Sequence, residues 1–246
     1  MNFFRRALIA STLMMAACEA SADEVITLTS GEWLPYLSER APHLGVVSRI
    51  VTEAFALEGV RVNYIFRPWS RAYAEALGGG AHGTVVWSVA ERDTARKRDF
   101  LASAVVFEGR SVFFHRKDYP FRLRDTARLA GLRIGGTAGY EYRFEKYPGI
   151  VIDRSAATDE LNFQKLLGGR FDLFPTDLYV GLDIMRRILT PEQAARLTWD
   201  PQPYNFTAYH LLLNRKNPAN PRYLALFNRG LKKLRDSGKY AQYMSQ

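Results

Sequence analysis

The arginines at positions 92 and 96 pose the first chemical question. A guanidinium is a planar fork of N–H donors that can hold a carboxylate through two parallel hydrogen bonds, which a lysine ammonium cannot do. Arg92 lies five residues beyond Trp87, where an apolar run ends, and Arg96 opens the basic run Arg96-Lys97-Arg98. Such a run also reads as the solvated face of a helix. Thr137 precedes a turn at Gly139 and a predicted helix start. Free backbone N–H groups there can hold a carboxylate, or the threonine can simply cap the helix. Asp177 offers an acceptor to a positive group, or a cap to the helix that follows Pro175. Trp33, Tyr36, Trp69, Trp87 and Tyr140 all fall in or beside loops at predicted strand ends. Their flat rings can cover an apolar ligand surface or stack on a cation. For Trp69 and Trp87 core packing is the competing role, because tryptophan is largely buried on average. Glu32 and Tyr36 share a loop after the first strand, the kind of place that carries sites. A fork of donors, an anion and flat rings are what a zwitterion such as an amino acid requires.

Other chemistries find less support. His43, His82, His115 and His210 are far apart in sequence and show no close metal-ligand spacing. No Gly-x-Ser-x-Gly elbow or phosphate-binding loop appears. No cofactor is expected. Glu32 and Asp177 are the carboxylates that an acid-catalysing enzyme would use in such a cleft.

These residues need elements to position them, and strands alternate with helices along the chain. Val25–Ser30 reads as a strand, and Val47, Ile50, Val51, Ala54 and Phe55 lie on one face of a helix that stops near Gly59. A strand over Val62–Phe66, a helix over Trp69–Leu77 and a strand over Gly83–Trp87 follow. That order implies a parallel sheet covered by helices. A second unit begins near Tyr119. It has strands at Leu132–Gly135, Ile150–Ile152 and Phe171–Phe174, a helix-like stretch from Thr137, and helices over Thr158–Leu167 and Thr176–Leu189. The strand Thr207–Leu213 and the helix Arg222–Arg235 have no partner there, so the chain is expected to return to the first unit. Two crossing segments result, near Phe114–Tyr119 and Pro203–Thr207, with a ligand cleft between two lobes.

The chain has 246 residues, 47% of them hydrophobic and 24% charged, which suits a folded protein and not a disordered one. Arg5 and Arg6, an apolar run from Ala7 to Ala17, and the small residues Ala20-Ser21-Ala22 form a secretory signal pattern. The run is too short to span a bilayer. Cleavage after Ala22 is expected, and the competing reading acylates Cys18, the only cysteine. Removing residues 1–22 leaves 32 basic and 24 acidic side chains, a net charge of +8. The basic residues are scattered and the protein is exported, so the charge reads as a solubilising surface without a nucleic-acid partner.

Several patches resemble the family-3 periplasmic solute-binding proteins, the group that includes the polar amino-acid receptors of ABC importers. They are Glu32-Trp33-Leu34-Pro35-Tyr36, Arg67-Pro68-Trp69-Ser70-Arg71-Ala72, Thr94 to Ser103, Gly131-Leu132-Arg133-Ile134-Gly135 with Gly139-Tyr140, and Gly169-Arg170-Phe171-Asp172 with Asp177. The resemblance runs over about residues 24 to 246. It implies an α/β, two-lobed periplasmic binding protein fold of type II, with residues 23–115 and 206–246 as one lobe and 116–205 as the other. It implies Arg96 as the carboxylate fork, with Arg92 as rival, and Asp177 as the ammonium acceptor. The function implied is capture of a small polar, amino-acid-like solute by lobe closure, without catalysis. A monomer is expected, with an ABC permease or a membrane sensor as partner. The rival class is a periplasmic dehydratase-like enzyme on the same fold.

Overall fold

The β-branched residues Val25, Ile26, Thr27 and Thr29 favour Glu24–Ser30 (β1) as a strand, whose inward residues Ile26 and Leu28 are fully buried. The computed structural model describes residues 24–89, 94–140 and 142–245. The signal pattern, Cys18 and Arg92 therefore lie outside the described residues.

After β1 the chain forms α1 (Val46–Ala56), β2 (Val60–Phe66), α2 (Trp69–Leu77), β3 (Gly83–Ser88), α3 (Thr94–Asp99), β4 (Phe100–Ala102) and β5 (Phe107–Arg116). Next come β6 (Ile134–Thr137), β7 (Ile152–Ala156), α4 (Asp159–Leu167), β8 (Leu173–Asp177), α5 (Leu178–Ile188), α6 (Pro191–Ala194) and β9 (Leu197–Trp199). The chain closes with β10 (Asn205–Asn214), α7 (Asn220–Asp236) and α8 (Lys239–Met244). The strand order is β2-β1-β3-β10-β5-β8-β6-β7, with β4 paired to β10 and β9 to β5. β1 runs parallel to β2 and β3, and β6 runs parallel to β7 and β8.

The two parallel units meet on an antiparallel ribbon. β10 pairs with β5 from Asn205 opposite Ser111 to Tyr209 opposite Phe107. From Ser111 onward β5 pairs instead with β8, Ser111 lying opposite Asp177. Phe114 and His115, at the start of the predicted crossing, are already paired to β8 and β9. β5 thus changes partner at Ser111, inside a strand that sequence reasoning did not mark.

α1 and α7 cross at close range over the first unit. A Cβ on Gly230 would stand 1.8 Å from the Ala54 carbonyl oxygen, so only glycine allows the approach. Glu58, just beyond α1, is tied to Arg229 (2.7 Å) and Lys233 (2.8 Å) of α7. The second unit has its own cluster of Phe113, Leu123, Leu129, Ile134, Tyr142, Phe144 and Leu173.

The stretch from Thr137 is not the expected helix. A turn is closed by the Tyr140 N–H on the Thr137 carbonyl (3.1 Å), and a single 3-10 turn follows at Arg143–Lys146. The Tyr142 hydroxyl accepts the Thr137 N–H (2.8 Å), which draws the chain back onto β6. Among the described residues no helix is long and apolar enough to cross a membrane.

Candidate functional site

The loop after β1 is folded on itself by the Trp33 N–H on the Leu37 carbonyl (2.8 Å) and the Tyr36 N–H on the Trp33 carbonyl (2.9 Å). Its Leu34–Pro35 peptide is cis. Glu32 accepts the Glu39 N–H at 2.8 Å, so this exposed carboxylate braces the loop. The loop presents two rings to the ribbon. Ring centroids are 4.9 Å apart for Trp33–Tyr36, 4.6 Å for Tyr36–Phe107, 5.0 Å for Trp33–Tyr209 and 4.9 Å for the stacked pair Phe107–Tyr209.

Asp177 meets this aromatic group from the other unit. It ends β8 and caps α5, its Oδ1 accepting the N–H groups of Tyr179 (3.0 Å) and Val180 (3.3 Å). The same oxygen accepts the Tyr36 hydroxyl at 2.7 Å. The capping role weighed in the sequence is thus present. Burial holds the Asp177 carboxyl above the ordinary aspartate range, the opposing hydrogen bonds being the smaller effect. Burial first, and then the Asp177 charge, raise Tyr36 far above the ordinary tyrosine range. Space for the carboxylate depends on Gly109, where a Cβ would lie 2.9 Å from Asp177 Oδ2 and 3.0 Å from Tyr209 Cε2.

Beside it lies a buried polar network. Thr137 donates its hydroxyl to Asp159 Oδ1, Thr176 donates to Asp159 Oδ2 (2.8 Å), and Asn162 donates its amide to Thr137 Oγ1 (2.9 Å). Thr137 is only 2% exposed. Its N–H is taken by Tyr142, so the expected anion site at its backbone does not form in this structure. Burial raises the Asp159 carboxyl above its ordinary range as well. Tyr140, at the turn beside this network, is 51% exposed.

Trp69, Trp87 and Arg96 form a third group at the end of β3. Trp69 donates its indole N–H to the Glu32 carbonyl (3.1 Å), and Trp87 donates to Thr84 Oγ1 (2.9 Å). Their rings meet edge to face at 5.6 Å. Arg96 donates to the Ser88 carbonyl (2.8 Å) and lies 5.0 Å over Trp87 and 5.9 Å over Tyr73. Val86 has φ of +61° opposite a register shift in β10, strain held directly before Trp87.

The structure therefore gathers Trp33, Tyr36 and Asp177 tightly, hangs Glu32 and Trp69 on the same loop, and gives Thr137 and Arg96 partners within their own units. Glu32 and Asp177 hold different partners. Sequence reasoning missed Phe107, Gly109, Tyr209 and Asp159. Phe107, Gly109 and Ser111 alternate along β5, a period-2 signal overlooked because the segment was not read as a strand. Asp159 looked like an ordinary acidic residue in the first turn of α4. His82 is structural, its Nδ1 accepting the Thr27 N–H at 3.1 Å.

No protein-family model matches the chain, and no curated protein matches it significantly. Solved structures do. A histidine kinase sensor domain similar to periplasmic binding proteins superposes with a TM-score of 0.68 at 17% identity, over 90% of this chain and 94% of that one. An ancestral arginine-binding protein bound to arginine gives 0.68 at 17%, over 90% and 96%. The substrate-binding protein of an amino-acid ABC transporter gives 0.65 at 15%, over 89% and 96%. The fold is that of the two-lobed periplasmic binding proteins.

Proposed function

We propose that the protein is an extracytoplasmic solute-binding protein that closes two lobes around a small polar solute and delivers it to an ABC importer. The observation that carries this reading is the meeting of Tyr36 and Asp177, from opposite units, over the β5–β10 ribbon. A binding protein of this kind needs such a pair of surfaces, apart when open and joined when closed. The lobes are residues 23–115 with 206–246, and 116–205. Strand pairing supports a hinge near Ser111 and Asn205. Export to the periplasm rests on the signal pattern of residues 1–22.

In the cleft Asp177 accepts a positive group, while Trp33, Tyr36 and Tyr140 cover the solute body. Solute held between both lobes favours the closed state by its extra contacts there. The role is binding and not catalysis, since Glu32 and Asp177 are engaged separately. The test is thermal unfolding of the purified protein with amino acids, polyamines, small carboxylates and prephenate. Ligand at about 100 times its dissociation constant adds roughly 2.7 kcal/mol. A rise in melting temperature with a compound that is not consumed supports the reading, and consumption of that compound moves the assignment to an enzyme. The sensor-domain likeness favours one second reading, in which the closed form signals to a membrane receptor. Neighbouring genes for a permease and ATPase, or for a sensor kinase, separate the two.

A further inference from the structure

We infer that the solute is an organic cation without a carboxylate, its positive head held on Asp177 among the rings of Trp33, Tyr36, Phe107 and Tyr209. This deepens the solute-binding reading and rests on it. The first argument is how this chain treats its buried acids. Asp172 is paired with Arg133 (2.7 Å) and Arg116 (3.2 Å), Asp183 with Arg187 (2.6 Å) and Arg186 (2.8 Å), and Glu58 with Arg229 and Lys233. Asp200 is met by the backbone N–H groups of Leu123 and Gln202. Asp177 and Asp159 are unlike the ion-paired acids and resemble Asp200, Asp177 being met by the backbone N–H groups of Tyr179, Val180 and Arg110. Among the described residues neither has a basic side chain as partner, although the chain carries 34 lysines and arginines. A carboxylate withdrawn from water without a countercharge is costly, more so for the buried Asp159 than for the half-buried Asp177, and a cationic ligand would reduce that cost.

The second argument is what surrounds Asp177. Trp33 and Phe107 each meet Tyr36, Tyr209 and one another at ring-centroid distances of 4.6–6.0 Å, and the Tyr36 ring carries the hydroxyl that reaches the carboxylate. Aromatic faces attract an ammonium or guanidinium, and more so when both are desolvated. The third argument lies in the same unit. Asn162 is fully buried and its amide oxygen has no partner, while its amide nitrogen joins the Thr137–Asp159 network. That oxygen can only accept, so the network also asks for a donor.

Among the described residues, two donors that the sequence offered for a carboxylate are engaged. The Thr137 N–H is held by Tyr142, and Arg96 serves the Ser88 carbonyl while packed over Trp87 and Tyr73. A solute with both charges would bring a carboxylate toward the acids Asp177 and Asp159. A solute with the positive end alone would not.

The test is calorimetry on the purified protein with matched pairs, agmatine against arginine and cadaverine against lysine. Each amine is expected to bind at least tenfold more tightly than its amino acid. Asp177→Asn keeps a capping oxygen for α5 and is expected to weaken agmatine binding at least tenfold with little change in melting temperature. Equal or tighter binding of the amino acids overturns the inference and leaves the solute-binding reading standing. Binding of small carboxylates alone does the same. No binding by any of these compounds, nor by the wider panel above, overturns both. Unchanged agmatine affinity in a folded Asp177→Asn variant removes Asp177 as the anchor and with it the inference.

Discussion

The Tyr36 hydroxyl donates to Asp177 Oδ1 at 2.7 Å, joining residues 141 positions apart across the meeting of the two units. A hydrogen bond to a charged group contributes roughly 1.5–3 kcal/mol. Tyr36→Phe keeps the ring and removes the donor. The ligand-free variant is expected to lose about tenfold or more of its closed population on that scale. Small-angle scattering should show a larger radius of gyration than wild type, and an unchanged radius would mean the bond does not hold the lobes together.

Gly109 leaves room for the Asp177 carboxylate and the Tyr209 ring, at 2.9 and 3.0 Å from the place of a Cβ. Gly109→Ala forces one of them to move, an overpacking cost of about 1–3 kcal/mol. The solute found by thermal shift should bind at least tenfold more weakly to this variant, as read by calorimetry. Full affinity would show that the Asp177–Tyr209 geometry is irrelevant to binding.

At the far side of the first unit Gly230 sits against the Ala54 carbonyl. Gly230→Ala must push α7 off α1, again at a cost of about 1–3 kcal/mol or more. For a domain of this size that lowers the melting temperature by roughly 2–4 °C per kcal/mol. Solute affinity of the folded fraction should stay as in wild type, since the site is elsewhere.

Acid should weaken cation binding before it unfolds the protein. Burial holds the Asp177 carboxyl above its ordinary range near pH 4, so it takes up a proton earlier than an exposed aspartate as pH falls. Protonation removes the charge the cation needs. Agmatine affinity measured from pH 7.5 downward should decline at a higher pH than an ordinary carboxylate would dictate, and Asp177→Asn should abolish that decline.

His82 gives the fold a separate pH dependence. Burial is the main cause that lowers its pKa, and the Thr27 N–H donated to its Nδ1 requires the neutral ring. The unfolded chain binds this proton more readily, so stability is complete above the unfolded value of about 6.5 and is lost as pH falls toward the lower folded value. His82→Asn keeps an acceptor for Thr27 and cannot titrate in this range. Its melting temperature should vary less between pH 7 and 5 than that of wild type, and identical slopes would exclude His82 as the source.

Much of the fold was legible from spacing. The helical face Val47, Ile50, Val51, Ala54 and Phe55 is buried, and the alternating apolar residues of β1 are too. Trp33 and Tyr36 were candidates because they stand in a loop at a strand end, and Asp177 because it falls at the position that the resemblance implies. The turn after Thr137 was misread because its determinant, the Tyr142 hydroxyl on the Thr137 N–H, is a closure that local propensity does not reveal.

The sequence by itself determined the α/β class and two units with a returning terminal strand and helix. These follow from period, composition and order, which are properties of neighbours in the chain. Tertiary structure alone decided which acids lack a countercharge, where β5 changes partner at Ser111, and that Tyr36 meets Asp177. Those facts depend on distances between residues far apart in sequence, and a charge acquires its chemical character from what surrounds it once water is excluded.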